Sequence, residues 1–193
     1  MWAIYLEAVR QHLPHAQVVF DRFHVVQHLN RAVDEVRRDA WRKLSGMAKV
    51  AFKRTRWLWL KNPWNLKPPE QRRLSVLCGQ TNQPIVRGYY LKEAFQRFWD
   101  YQSEGWARPY LHHWLWWASH SRLRPFVRFA QMIRAHLDGI LAWTRLRVSN
   151  GALEGMNNKV KVVSHRAYGF RTIDHYIAAI WHGCGGLPFE PVP

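Results

Sequence analysis

Hydrophobic positions recur at helical spacing near the start of the chain and predict two helices there. The first apolar run covers residues 2–13 and stops before Pro14, and the second begins at Phe23 and continues to about Lys43. Between them, the largely apolar run Ala16–Phe20 is typical of a short buried strand that ends at Asp21. The pattern therefore predicts a helix, a strand and a helix over residues 1–43.

The central part of the chain, residues 44–144, shows helical patterning throughout, and the pattern predicts no strand there. Glycine and proline predict breaks near Gly46, Asn62-Pro63, Pro68-Pro69, Gly79 to Pro84, Gly105, Pro109 and Pro125. Residues 145–187 predict a second short strand at Arg145 to Ser149, a helix from Asn150 to Ser164 and a last helix from Ile173 to Trp181. Residues 188–193 are a proline-rich tail. The predicted fold is mostly α with a small β remnant.

The net charge indicates the class of partner. The 193 residues include 29 Lys and Arg and 13 Asp and Glu, which gives a net charge of +16. Such an excess favours a polyanionic partner, with nucleic acid first and an acidic membrane surface second. No apolar run reaches the length of a membrane span. Among the 12 tryptophans, Trp114, Trp116 and Trp117 suit base stacking, although such clusters more commonly pack in a core.

The segment after Ser149 carries the strongest chemical signal. At about 100° per residue, one narrow stripe of a helix presents Asn150, Glu154, Asn157 and Lys161. Glu154 is a candidate metal ligand, and Lys161 is a candidate phosphate contact on the same face. The alternative is an ordinary amphipathic helix with Ser149 as its N-cap and a solvated Glu154.

Asp21 is the second candidate because it follows a buried strand, where α/β folds place ligands and catalytic groups. It also suits the N-cap of the helix that starts at Phe23, and the two roles are compatible. Asp21 and Glu154, with Lys161 nearby, can hold Mg²⁺ and position a phosphodiester. His24 and His28 are also spaced for a metal, but no third ligand follows at zinc spacing, which favours a structural role.

These motifs together resemble a known family. The sequence D-R-F-H-V-V over residues 21–26, followed by S-N-G-A-L-E-G-M-N over residues 149–157, resembles the DDE transposases of bacterial insertion sequences. The downstream Y-G-F-R over residues 168–171 matches the same branch. The resemblance covers essentially the whole chain and implies an RNase H-like catalytic core. In this branch a large helical insertion, here residues 44–144, interrupts that core.

The resemblance implies metal-dependent cleavage and joining of DNA strands. Asp21 then corresponds to the second catalytic acid and Glu154 to the third, and both would bind Mg²⁺ or Mn²⁺. Lys161 matches a lysine that follows the glutamate by seven residues and contacts DNA phosphate. The remaining DNA-binding residues expected in these segments are Asn150, Asn157, Lys159 and Arg171.

The family's first catalytic aspartate lies on a strand well upstream of the second, whereas only 20 residues precede Asp21 here. The resemblance therefore implies the C-terminal part of a transposase, with an incomplete active site and no cleavage by this chain alone. Expected partners are DNA, a second copy or a full-length transposase, with no membrane, in the bacterial cytoplasm at the nucleoid. The alternatives are a non-catalytic basic DNA-binding module and a fragment that inhibits full-length transposase.

Overall fold

A computed structural model describes residues 2–79, 84–149 and 151–185, and within these ranges every regular element is a helix. The α-helices in chain order are α1 (Trp2–His12), α2 (Arg22–Lys43), α3 (Gly46–Ala51), α4 (Arg56–Leu60), α5 (Pro68–Cys78), α6 (Pro84–Gln96), α7 (Glu104–His120), α8 (Arg124–Ala135), α9 (Leu137–Leu146), α10 (Gly151–Arg166) and α11 (Ile173–Cys184). Short 3-10 turns lie at Pro63–Asn65 and Arg97–Asp100. The prediction of a mostly helical protein is confirmed, and no described helix is long and apolar enough to cross a membrane.

The helices expected from apolar periodicity are present with nearly the predicted ends. Local capping explains where two of them begin, because Asp21 caps α2 and the Thr172 hydroxyl accepts from the backbone N–H of His175 at the start of α11. Gly185 follows the last residue of α11. The expected proline-rich tail, residues 188–193, lies outside the described residues.

The predicted β remnant is wrong. Residues 16–20 have no regular secondary structure, and the backbone N–H of Phe20 bonds to the carbonyl of Gly139 on a helix, α9, at 3.1 Å. The expected partner strand does not form either, because Arg145 belongs to the last turn of α9 and Arg147 adopts a left-handed φ of 51°. A short apolar run needs a neighbouring strand to form a ladder, and here its last residue, Phe20, packs against α9 instead, while Ala16 and Gln17 are exposed.

Most predicted breaks coincide with helix ends, whereas Pro109 does not. It lies inside α7, with Gly105 in the first turn of the same helix. A proline there removes one backbone hydrogen bond. The buried face of α7, which includes Leu111, Trp114 and Leu115, packs on α6, α8 and α9 and outweighs that loss.

The chain divides into two compact units at the bond between Val148 and Ser149, here called unit 1 and unit 2. In unit 1, α2 packs against α4, α6 and α8 around fully buried large side chains. Phe95 lies at the centre, with its ring centroid 4.8 Å from Trp114 and 5.2 Å from Phe129. Trp114 is thus a core residue, while Trp116 is 60 % exposed. The finer division into residues 1–43, 44–144 and 145–187 stays a prediction.

Arg147, the last residue but one of unit 1, is held in place by its side-chain contacts. The Arg147 guanidinium donates to the carbonyls of Tyr101 at 2.9 Å and Trp99 at 3.4 Å, and it lies 4.7 Å from the ring centroid of Trp143. These contacts stabilise the left-handed backbone that terminates α9.

Unit 2 consists of α10, a short loop and α11, which pack against each other. A side chain at Gly183 would approach Val163 Cγ2 to 3.2 Å, so glycine permits the close contact of the two helices. Phe170 and Tyr176 pack with ring centroids 5.1 Å apart. No side chain that the structure describes in this unit is buried.

Candidate functional site

Asp21 is held as the N-cap of α2. Its Oδ1 accepts a hydrogen bond from the backbone N–H of Phe23 at 2.6 Å, which satisfies one of the open donors of the first helical turn. Such a cap stabilises a helix by about 1 kcal/mol, and the positive end of the helix dipole favours the negative charge. The predicted N-cap role is therefore confirmed, and the ligand role stays a prediction.

The residues next to Asp21 are fixed by the start of α9. The Phe20 ring lies 4.8 Å from the His136 ring, and its backbone bonds to Gly139. A Cβ at position 139 would come within 2.7 Å of the Phe20 ring, so only glycine allows this approach. Burial, together with the charge of Arg10, lowers the pKa of His136. A second helix, α9, therefore holds in place the backbone that precedes the Asp21 side chain.

His24 and His28 lie one turn apart on α2, as their spacing predicts. Partial burial, followed by the charges of Arg31 and His24, lowers the pKa of His28. Over residues 2–79, 84–149 and 151–185 no cluster of three or more His, Cys, Asp or Glu side chains is placed to hold a metal. The structural role of this pair stays a prediction.

Glu154, Asn157 and Lys161 share one exposed stripe of α10, as the helical spacing predicts. Glu154 lies in the first turn, where the helix dipole favours a carboxylate. The fourth predicted member, Asn150, lies outside the described residues. Lys159 is exposed about 140° around the helix from Glu154, so it does not belong to this stripe.

The polar stripe continues into a surface groove that the sequence analysis did not predict. The groove, of about 610 Å³, is lined by Asn158, Lys161, Val162, His165, Arg166 and Tyr168. Lys161 and Arg166 are exposed cations, and Tyr168 is fully exposed. The i, i+4 spacing of His165 from Lys161 could have indicated their shared face. Arg171 is exposed in the loop that follows.

This arrangement suits contact with a nucleic-acid backbone. Cations of the groove can neutralise phosphates, and an exposed tyrosine ring offers a face for a base. Asn158 adds an amide with both donors and an acceptor. Unit 2 therefore exposes cations and an aromatic ring at one groove, with one carboxylate, Glu154, at the first turn of the same helix.

Asp21 belongs to unit 1 and Glu154 to unit 2, and their proximity stays a prediction. Both side chains fit a hard divalent cation, because carboxylate oxygens are the ligands that Mg²⁺ prefers. The cap on α2 uses one of the several lone pairs that the Asp21 carboxylate carries. The donor set is compatible with the predicted metal.

Comparison with known proteins identifies relatives over most of the chain. A family model of the DDE, ISL3 type, described as a transposase, matches residues 1–180. The chain is 37 % identical over 183 residues to the transposase for insertion sequence element IS1001 of Bordetella parapertussis, covering 93 % of this chain and 45 % of that protein. It is 27 % identical over 195 residues to the transposase for element IS1557 of Mycobacterium tuberculosis, covering 89 % and 44 %. The chain thus spans less than half the length of these curated relatives, and no solved structure matches it.

Proposed function

Because this chain belongs to the ISL3 family of DDE transposases, we propose that it is a part of an insertion-sequence transposase that supplies two metal-binding carboxylates, Asp21 and Glu154. The observation that carries this proposal is the family match over residues 1–180, which includes both motif segments. Each carboxylate lies at the start of a helix. The fold proposed around them is an RNase H-like core.

Each residue has a chemical role in this proposal. Asp21 and Glu154 would hold Mg²⁺ or Mn²⁺, and the chemistry that such an ion supplies when bound is stabilisation of charge on phosphate oxygens. Lys161, two turns beyond Glu154 on the same stripe, orients the phosphodiester by pairing with a phosphate. The net reaction is the cleavage and joining of DNA strands.

DNA binding in this proposal is mainly electrostatic. The net charge of +16 attracts the phosphate backbone, and the exposed stripe of unit 2 positions it through Asn157 and Lys161. Asn150, Lys159 and Arg171 complete the proposed set of DNA contacts. Affinity should therefore fall steeply with salt, since neutralised phosphates release counterions.

The two carboxylates do not constitute the family's set of three, so the 193 residues alone should not cleave DNA. Completion of the site would come from a longer chain or from association with a full-length transposase. The second candidate function is a non-catalytic DNA-binding module, which the cationic groove beside Tyr168 favours. Association of an inactive copy with a complete transposase would inhibit it. In either case the proposed location is with the bacterial nucleoid.

Iron-mediated cleavage tests the metal assignment directly. Fe²⁺ replaces Mg²⁺ in many oxygen-ligand sites, and with ascorbate and peroxide it cuts the protein backbone close to where it binds. We expect cuts near residue 21 and near residue 154, both suppressed by excess Mg²⁺. Cuts at one position only, or at neither, would contradict a shared site.

Two substitutions separate the metal role from the structural one. Asp21→Asn keeps a good N-cap and removes the charge, so helix stability should persist while both cuts disappear. Glu154→Gln should do the same, and Asp174→Asn is its matched control because Asp174 also lies in the first turn of a helix of unit 2. Plasmid nicking by the unmodified chain with Mg²⁺ or Mn²⁺, lost in Glu154→Gln, would show that the site is complete.

A further inference from the structure

A second polar groove lies in unit 1, between α2 and α4, and Asp21 does not line it. Its volume is about 350 Å³, and the lining residues that matter here are Asn30, Asp34, Arg38, Arg56 and Trp57. Asn30 lies nine residues beyond the cap, about 13 Å along the helix. The groove is therefore distinct from the carboxylate at the start of α2.

Asp34 organises the cationic side of this groove. The carboxylate is almost fully buried and pairs with Arg37 at 2.8 Å, Arg38 at 3.0 Å and Arg56 at 3.6 Å. Burial opposes its charge, but the hydrogen bond from Arg37 and the three guanidinium charges lower the pKa of Asp34 overall. One carboxylate thus holds three cations, which leaves an excess of positive charge.

Two of these cations are available to a ligand. The side chains of Arg38 and Arg56 are 58 % and 54 % exposed, although each is paired with Asp34. A guanidinium carries five N–H donors, so pairing with one carboxylate oxygen leaves donors for a phosphate. The groove is therefore preorganised for an anion.

Trp57 gives the groove an aromatic wall. Its side chain is 58 % exposed, and the Arg56 guanidinium lies 5.1 Å from its ring centroid. The helix that carries it is fixed from the buried side, because the ammonium of Lys92 donates to the carbonyls of Trp59 at 3.0 Å and Lys61 at 2.8 Å. A large exposed ring on a helix whose backbone is anchored is a stacking surface for a base.

Asn30 supplies a hydrogen-bonding group on the same groove. Its Oδ1 is buried and accepts no hydrogen bond from the residues that the structure describes. Buried polar atoms normally have partners, and an amide can serve the edge of a base as donor or acceptor. Phosphate-binding cations, a base-stacking ring and an edge-binding amide thus converge on one cavity.

We propose that this groove binds one nucleotide of a single-stranded DNA segment, with its phosphate on Arg38 and Arg56 and its base stacked on Trp57 beside Asn30. Bases in a duplex stack on each other and offer no free face to Trp57, which favours the single strand. The site uses neither Asp21 nor Glu154. It is therefore a DNA-handling site of unit 1 that does not depend on the proposed metal chemistry.

Fluorescence anisotropy with a labelled oligothymidine, and with a hairpin duplex of the same length, tests the proposal on the full chain. Trp57→Ala should weaken oligothymidine binding about tenfold, the order of a base–aromatic contact, and leave duplex binding unchanged. Trp106→Ala, a 75 % exposed tryptophan on α7, is the matched control and should change neither. An equal loss in both variants, or an equal loss for duplex, would overturn the proposal.

The charged part of the site has its own control. Arg38→Ala should remove one phosphate contact and so lower the slope of log affinity against log salt for oligothymidine by about one. Arg72→Ala, at an exposed position on α5, should leave this slope unchanged. The Trp57→Ala variant should bind an oligoglutamate probe with the same affinity as the unmodified protein does. Loss of its binding alongside that of oligothymidine would mean that the groove holds acidic peptides instead.

A crosslink in the unmodified chain makes the test independent of the folding of any variant. Oligonucleotides with photoreactive 5-iodouracil should attach to Trp57, as located by mass spectrometry. Attachment confined to unit 2 would overturn the groove assignment. This outcome is distinguishable from failure of the metal proposal, because iron-mediated cuts at residues 21 and 154 do not involve Trp57.

Discussion

The two units use similar apolar residues in opposite ways. Unit 1 encloses a continuous core in which Phe95, Trp99 and Trp114 are almost completely buried. Unit 2 leaves Ile173 76 % exposed and Trp181 65 % exposed, and none of its described side chains is buried. The difference shows that helical periodicity predicts a helix without predicting what covers its apolar face.

This difference has an energetic consequence. A pair of helices of about this size rarely folds alone without disulfides, metals or oligomerisation, because it buries too little surface. Unit 1 has the core that a self-supporting domain requires. We therefore expect the measurable stability of the chain to be that of unit 1, and the function of unit 2 to depend on its exposed residues.

The largest expected effect is a contrast between two tryptophans. Trp114→Ala should lower the free energy of unfolding by about 3–5 kcal/mol, because it removes a buried ring and leaves a cavity. Trp181→Ala should change it by less than about 0.5 kcal/mol. Urea denaturation followed by circular dichroism measures both. A similar loss in the two variants would show that unit 2 contributes to the cooperative core.

The next effect concerns the buried lysine of unit 1. Lys92 is fully buried, and its ammonium donates to the carbonyls of Trp59 and Lys61 and lies 2.8 Å from Glu93. Lys92→Met should cost about 3 kcal/mol, because it leaves a carboxylate and backbone carbonyls without their cation.

Lys49→Met, at an exposed position of α3, is the control for Lys92→Met and should cost little. The same urea titration compares them. If Lys92→Met unfolds at the urea concentration of the unmodified protein, the ammonium is not needed to hold the end of α4.

A smaller effect should appear in unit 2 as affinity rather than stability. Lys161→Ala should weaken duplex DNA binding several-fold and lower the salt slope by about one, with no change in the unfolding midpoint. Lys43→Ala, at an exposed position at the end of α2 and outside the proposed DNA contacts, is the control and should have less effect on the same measurement. Equal effects of the two substitutions would indicate diffuse attraction rather than an oriented stripe.

The smallest expected effect is the pH dependence of unit 1. Burial lowers the folded-state pKa of His28 below its ordinary 6.5, so the unfolded chain binds a proton more readily. Stability should be complete above pH 6.5 and decline as the pH falls below that value. His28→Gln should flatten this decline in thermal melts, whereas exposed His175→Gln in unit 2 should not. An unchanged profile in His28→Gln would assign the decline to other groups, such as His136.

The sequence was sufficient for α1, α2, α10 and α11, whose ends lie close to those predicted, and for the stripe on α10. Spacing alone predicted α2 and its Asp21 cap, because these are local properties of the chain. The prediction of a strand at Ala16–Phe20 was wrong, because a short apolar run is equally compatible with packing against a strand or a helix. Trp114 and Trp116 differ in burial because neighbouring helices cover only one side of α7, and that depends on packing.

The groove between α2 and α4 could not be predicted from the sequence, because it also depends on the packing of distant segments. Arg38 and Arg56 lie on different helices, and the packing of α4 on α2, together with their common ion pair with Asp34, brings them together. Long-range juxtapositions of this kind leave no periodic signal. The proposed meeting of Asp21 with Glu154 is also long-range, and it depends on the family resemblance rather than on spacing.

Arg147 has a mechanical consequence for the boundary between the units. Its guanidinium ties the last residue but one of unit 1 to the Trp99 and Tyr101 carbonyls and to the Trp143 ring. A tensile force applied through residue 149 is therefore transmitted to buried parts of unit 1 before the last turn of α9 can unwind. Pulling experiments should accordingly show α11 and α10 extending at low force, followed by a distinct force peak when the Arg147 attachment breaks.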